Sequence, residues 1–199
     1  MNNDTNIIAF ILCGGKSSRM QSEKGFVSFK DKPFIQWVIE AIEPVTKNIY
    51  LVTDNQDYSV FGYPLVEDIY KEKGPLGGIF SALNYSKSEH NLILSCDVPN
   101  ISASVIQKYL IDNLSENKDV TFLSDDRNSY PLIAVYNKRI VPKLLEAIHA
   151  DKLKLVSFLE GLESLNIKVE VSDFDCLNNI NTKAELKILE NRAKELNEN

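Results

Sequence analysis

The densest chemistry in the chain lies in one stretch, Leu12-Cys13-Gly14-Gly15-Lys16-Ser17-Ser18-Arg19-Met20-Gln21-Ser22-Glu23-Lys24. Two adjacent glycines let a backbone turn sharply and bring its N–H groups against a ligand. Ser17 and Ser18 add hydroxyl donors, and Arg19 and Lys24 bring two positive charges to the same loop. Amides, hydroxyls and paired cations together suit a ligand carrying several phosphate groups. The spacing is not that of a P-loop, G-x-x-x-x-G-K-[ST], nor that of the dinucleotide fingerprint, G-x-G-x-x-G. A glycine pair alone would also serve a plain strand-to-helix turn. The serines, arginine, methionine and downstream lysine at fixed spacing make the pattern specific.

A second candidate is Asp97, which follows the apolar run 92–96 and so is expected at the carboxyl end of a strand. Mg²⁺ prefers a carboxylate together with substrate phosphates and waters, so one well-placed aspartate suffices for a metal that arrives with a triphosphate. The plainer alternative is a turn or helix-cap aspartate, helped by Pro99. Asp68 and Asn55 also stand where ordinary turn chemistry would place them. His90 and His149 fall outside every motif, and no Ser-His-Asp or Cys-His arrangement stands out.

These residues need a scaffold that gathers them. Three apolar runs, 7–13, 49–53 and 92–96, read as buried parallel strands, with further strands expected at 120–123, 132–136 and 167–171. Phe34, Val38 and Ile42 mark one helix face behind Pro33, a residue tolerated in a first turn. Ser102 is placed to cap a helix carrying Val105, Tyr109 and Leu110. Thr182 and Glu185 form a T-x-x-E capping box before Leu186, Leu189, Ala193 and Leu196. Alternating strands and helices predict an α/β chain with a doubly wound, mostly parallel sheet in one domain over 1–199, its ordered core spanning about 6–194. In such sheets ligands sit outside the carboxyl ends of the strands, just after Leu12, Val52 and Ser95.

Composition bounds the possibilities. A chain of 199 residues, 44% hydrophobic and 25% charged, buries a core without disulfide or metal support. The net charge of −6 disfavours nucleic acid and anionic membrane as partners, while leaving room for a local phosphate site. The apolar run ending at Cys13 is too short for a membrane span and wrongly flanked for a signal peptide. Cys13, Cys96 and Cys176 are widely spaced, which argues against a zinc site or disulfide framework. Cys13 and Cys96 read as small buried hydrophobes. The expected compartment is the cytoplasm.

The 12–24 segment resembles the L-x-G-G-x-S-x-R-M-G-x-D-K signature of nucleotidyltransferases, specifically the molybdenum cofactor guanylyltransferase family. The resemblance continues through Val66-Glu67-Asp68, Gly74-Pro75-Leu76-Gly77-Gly78, Cys96-Asp97-Val98-Pro99 and Asn179-Ile180-Asn181-Thr182, in the family's order over nearly the whole chain. Gln21 replaces the usual glycine and Glu23 the usual aspartate. The resemblance implies a Rossmann-like nucleotidyltransferase fold that transfers GMP from GTP to the phosphate of molybdopterin or its molybdenum-loaded form. Mg²⁺ is the implied metal, with Mn²⁺ as a substitute, and transient contact with molybdenum-insertion or acceptor enzymes is implied too.

It further implies roles. Lys24, Arg19 and Asp97 are catalytic, and Asp97 is the metal ligand. Leu12, Cys13, Gly14, Gly15, Ser17, Lys24, Asn55, Asp68, Gly78 and Asp97 bind the nucleotide, with Gly77-Gly78 letting a loop pass close to the base, forming a helix-start turn, or both. Tyr130, Pro131, Asn179 and Asn181 line the acceptor, pterin side, where Lys152 and Lys154 either attract the acceptor phosphate or form a solvated helix face. Alternatives remain. Molybdopterin cytidylyltransferases usually show L-A-A-G at the first motif, and sugar-nucleotide pyrophosphorylases a longer G-T-R-L…P-K segment. A non-catalytic binding protein would suit Gln21 but not the retained Arg19, Lys24 and Asp97.

Overall fold

The computed structural model of the protein describes residues 7–14, 16–17 and 22–195. Seven strands form its main sheet: β1 (Ile8–Leu12), β2 (Ile49–Val52), β3 (Leu65–Val66), β4 (His90–Ser95), β5 (Val120–Ser124), β6 (Ser129–Asn137) and β7 (Ser164–Lys168). Their spatial order is β7-β5-β6-β4-β1-β2-β3. All run parallel except β6, which pairs antiparallel with both β4 and β5. The chain winds outward from β1 to β3, then returns to place β4 on the other side of β1. That reversal makes the β1/β4 edge the switch point at which such sheets hold ligands.

Strand periodicity divides the core into two layers. Ala9, Ile11 and Cys13 point to one face, where α1 (Phe34–Ile42) brings Ile35, Val38 and Ile39. The same layer holds Val105 of α3 (Ala103–Val105) and the π-helical turn Ile106–Ile111 that continues it. Phe10 and Leu12 point to the other face, against Leu76, Ile79 and Leu83 of α2 (Gly74–Tyr85) and Leu144 and Ile148 of α4 (Val141–His149). Each layer therefore uses alternate residues of the same strand, as a pleated backbone requires. A short α5 (Leu155–Leu159) leads into β7, and α6 (Lys183–Glu195) closes the described chain. A third apolar cluster of Phe29, Phe34, Ile180 and Leu189 fastens α6 beside α1.

Most expected elements appear within a residue or two. Ser102 caps α3 by accepting from Val105 N–H at 3.3 Å. Thr182 and Glu185 form the capping box, with Glu185 N–H to Thr182 Oγ1 at 3.2 Å and Thr182 N–H to Glu185 Oε2 at 2.9 Å. The Ala193 side chain and Leu196 fall outside the described residues. Two expectations are corrected. Pro33 does not enter the first turn but stands at the N-cap of α1 in extended conformation. The last strand is Ser164–Lys168 rather than 167–171, because its partner β5 aligns Ser164 with Val120, and 171–177 turn into a 3-10 helix. Of the two readings of Gly77-Gly78 the helix start holds, both lying in the first turns of α2.

Asp119, just before β5, ties the amino edge of the sheet. Its carboxylate accepts from Arg139 Nε at 2.6 Å, Lys143 Nζ at 3.0 Å and Glu163 N–H at 3.2 Å. Burial alone would raise this carboxyl, but those hydrogen bonds outweigh it and hold it below the ordinary range. Folding thus favours the ionised form. The stabilisation is complete above the unfolded-state value of about 3.9 and fades as pH falls through the lower folded value. Asp119→Asn is expected to cost about 1–3 kcal/mol at pH 7. Urea unfolding of both proteins should show that gap closing in acid, and a gap constant down to about pH 3 would refute the assignment.

Candidate active site

The segment after β1 does not run straight into a helix. Lys16–Ser17 pairs antiparallel with Ser22–Glu23 in a small ribbon, and the chain then makes the 3-10 turn Lys24–Phe26. Gly15, Ser18, Arg19, Met20 and Gln21, together with the Ser17 side chain, lie outside the described residues. The turn carries Lys24 to the switch point. There Lys24 Nζ donates to Asp97 Oδ2 at 2.7 Å and to Asn181 Oδ1 at 2.5 Å, residues 73 and 157 positions away.

Asp97 stands past the end of β4 and is only 2% exposed. Its Oδ1 accepts from Ser95 Oγ at 2.5 Å and from Asn179 Nδ2 at 2.9 Å, and its carbonyl accepts from Ile180 N–H at 2.9 Å. A buried carboxylate is tolerated when it is paired and hydrogen-bonded. Asn179 and Asn181, expected on the acceptor side, are here engaged by Asp97 and Lys24. Ser95 was not foreseen, although its i,i+2 spacing from Asp97 is the spacing that puts two side chains on one side of an extended segment.

The nucleotide-side residues form a second group along β1 and α2. Cys13 N–H donates to Val52 O at 3.0 Å, and Cys96 N–H to Leu12 O at 3.2 Å, so the ends of β1, β2 and β4 lie side by side. Gly14 is exposed just beyond them. Burial, then the Cys96 thiol, pushes the Cys13 thiol well up, which removes it as a nucleophile and fits its packing role. Asp68 Oδ1 accepts from Ser81 Oγ at 3.0 Å and from Tyr70 N–H at 3.2 Å, locking the loop before α2 onto that helix. Burial raises the Asp68 carboxyl against those two hydrogen bonds.

Asn55 caps a 3-10 turn, its Oδ1 accepting from Asp57 N–H at 2.9 Å. Tyr130 donates to Asp125 Oδ2 at 2.7 Å at the start of β6, and the Pro131 carbonyl accepts from Tyr136 at 2.8 Å. Because β6 runs antiparallel to β4, residues 129–132 lie on the carboxyl side of the sheet, towards Asp97. Lys152 and Lys154 line a different groove of about 600 Å³ between α4 and α5, shared with Phe158 and Leu162. Among the described residues, no group of three or more His, Cys, Asp or Glu is placed to hold a metal by itself. The donor set fits a cation that brings its own phosphate oxygens and needs one carboxylate.

Sheet order, switch point and charged pair define a class: an α/β protein built to hold a phosphorylated nucleotide. A family model described as the MobA-like NTP transferase domain matches residues 9–165. The probable molybdenum cofactor guanylyltransferase of Flavobacterium johnsoniae is 45% identical over 183 residues, covering 92% of this chain and 96% of that protein. The molybdenum cofactor guanylyltransferase of Vibrio parahaemolyticus is 31% identical over 180 residues, covering 88% and 91%. The crystal structure of molybdopterin-guanine dinucleotide biosynthesis protein A from Archaeoglobus fulgidus superposes with a TM-score of 0.81 at 24% identity, covering 94% and 98%, and attests the fold. The chain belongs to the molybdenum cofactor guanylyltransferase family.

Gly77 and Gly78 of α2 differ in what surrounds them. A Cβ on Gly77 would lie 2.7 Å from the Tyr70 carbonyl oxygen, whereas one on Gly78 would meet only the Leu12 side chain, at 3.4 Å. Gly77→Ala is therefore expected to destabilise by about 1–3 kcal/mol through backbone displacement. Gly78→Ala should be neutral or gain up to about 1 kcal/mol from helix propensity. Thermal melts of the two variants check this, and equal losses would show that the helix sits differently on its loop.

Proposed function

We propose that the chain transfers GMP from GTP to the phosphate of molybdopterin, giving molybdopterin guanine dinucleotide and pyrophosphate. The observation that carries this most is the Lys24–Asp97 pair at the switch point of a chain in this family. The acceptor phosphate is already anionic near neutral pH, so no strong general base is needed to create the nucleophile. What remains is alignment with the α-phosphorus and neutralisation of charge as pyrophosphate leaves.

The proposal assigns roles to the residues of the site. Asp97 and Asn181 hold Lys24 at the crevice, and Lys24 turns from them to the α-phosphate, where charge develops. The Gly14 end of the loop, with Gly15, Ser17 and Arg19, takes the β- and γ-phosphates. Leu12, Cys13, Asn55, Asp68 and Gly78 border the guanine side, and Tyr130 and Pro131 the pterin side. Asp97 would hold Mg²⁺, and the bound ion would supply charge neutralisation at the phosphates. No helix among the described residues is long and apolar enough to cross a membrane. We place the reaction in the cytoplasm.

The deciding assay incubates pure protein, Mg²⁺ and molybdopterin with each of four nucleoside triphosphates and identifies the dinucleotide by mass. GTP is expected to exceed CTP by at least roughly tenfold in kcat/KM, since an unmatched polar edge costs more than about 1.4 kcal/mol. Equal use of CTP would make the chain a cytidylyltransferase or a non-selective enzyme. Lys24→Ala is expected to lower kcat about a hundredfold, as for other electrostatic donors that act in the transition state. A change confined to KM would instead give Lys24 a ground-state binding role. Melting curves accompany that assay, because the substitution leaves Asp97 with neutral donors.

A further inference from the structure

Tyr58 lies in the short 3-10 helix Gln56–Phe61, and no step described above uses it. It is completely buried, and its ring packs against Phe26 and Phe61 at centroid distances of 4.6 and 6.1 Å. A phenylalanine would satisfy that packing. The hydroxyl needs its own explanation, because a buried O–H is costly unless it is bonded.

Its one bond and its closest contact go to the two ends of the phosphate loop. The hydroxyl donates to the Cys13 carbonyl at 3.4 Å, immediately before Gly14. On its other side the hydroxyl lies directly against Gly25, immediately after Lys24. The fit at Gly25 is close: a Cβ there would stand 2.6 Å from the hydroxyl and 2.7 Å from Cε1 of the ring. Asn55 holds the helix start, so Tyr58 enters the core from a fixed turn.

We infer that Tyr58 is a positioning residue for nucleotidyl transfer, its hydroxyl bonded to Cys13 and packed against Gly25, a clamp that fixes Lys24 relative to the Gly14 amide. The role rests on the guanylyltransferase function proposed above. A displacement of about 1 Å at a reacting group can cost on the order of a hundredfold in rate, so a clamp two bonds from the lysine has leverage. Packing alone would show itself in stability. Positioning shows itself in kcat.

The test compares Tyr58→Phe with Phe61→Leu, which trims the same aromatic cluster without touching the hydroxyl. Tyr58→Phe is expected to lower kcat at saturating GTP by roughly tenfold or more, with KM for GTP changed less and the melting temperature within a few degrees of wild type. Phe61→Leu is expected to lower the melting temperature and leave kcat unchanged. Hydrogen exchange at the Gly25 amide should also quicken by roughly tenfold in Tyr58→Phe, a readout that needs no turnover. Wild-type kcat in Tyr58→Phe, beside an active wild-type enzyme, overturns the role of Tyr58 alone. A wild-type protein that makes no dinucleotide sinks the guanylyltransferase function instead, and Gly25 exchange still judges the clamp. If Tyr58→Phe does not fold, Gly25→Ala decides, because its Cβ displaces the hydroxyl: a lowered kcat supports the clamp, and a wild-type kcat overturns it.

Discussion

A carboxylate that is 2% exposed must be matched by a cation and by hydrogen bonds, or it costs several kcal/mol. Asp97 sets that demand at the middle of the sheet. One donor, Ser95, comes from its own strand. The others come from the turn that follows the phosphate loop and from the segment before the last helix. No local element can supply them together. The fold brings three distant stretches to one point, and side chains from all three satisfy the buried charge.

The 179–182 segment shows how that convergence is held. Asn179 and Asn181 face the Lys24–Asp97 pair, while Ile180 between them is 5% exposed and packs with Phe29, Phe34 and Leu189. Alternation in an extended strip explains the split: odd positions serve the charge and the even one serves the core. The Ile180 N–H to Asp97 carbonyl bond fixes its register, and Glu185 fixes its end by accepting from the Asn181 N–H at 2.7 Å. Thr182 therefore has a structural task as a cap, and the catalytic geometry depends on it indirectly.

How much of this was legible in the sequence varies with the range of the interaction. The central strands were visible because parallel strands buried on both faces are continuous apolar runs. Asp97 at a strand end, the Ser102 cap and the capping box are local, and local chemistry betrays itself. Helix α2 was masked by its own start, Gly74-Pro75-Leu76-Gly77-Gly78, where low helix propensity is overridden by close packing on Leu12 and the Tyr70 carbonyl. The last strand was misplaced because Leu165, Ile167, Val169 and Val171 alternate across both frames, and only pairing with β5 selects one. The asparagine pair carried a family resemblance but no local sign that its partners are Lys24 and Asp97, because those contacts span 157 and 82 positions.

Two buried aspartates in this molecule solve the same problem in different ways. Asp119 takes a backbone N–H as well as Arg139 and Lys143, all from elements packed at the amino edge of the sheet. That arrangement is a fixture of the fold, and its charge never needs to change hands. Asp97 receives on its carboxylate the side chains of Ser95 and Asn179 and a lysine whose side chain is 23% exposed at the crevice. Its cation can therefore be exchanged, but not removed, because an unpaired carboxylate at that depth is strongly destabilising. Under the proposed function, Lys24 would leave for a phosphate only as another cation replaced it at Asp97. Such coupling would keep the lysine in place until a phosphate and a second cation were both present.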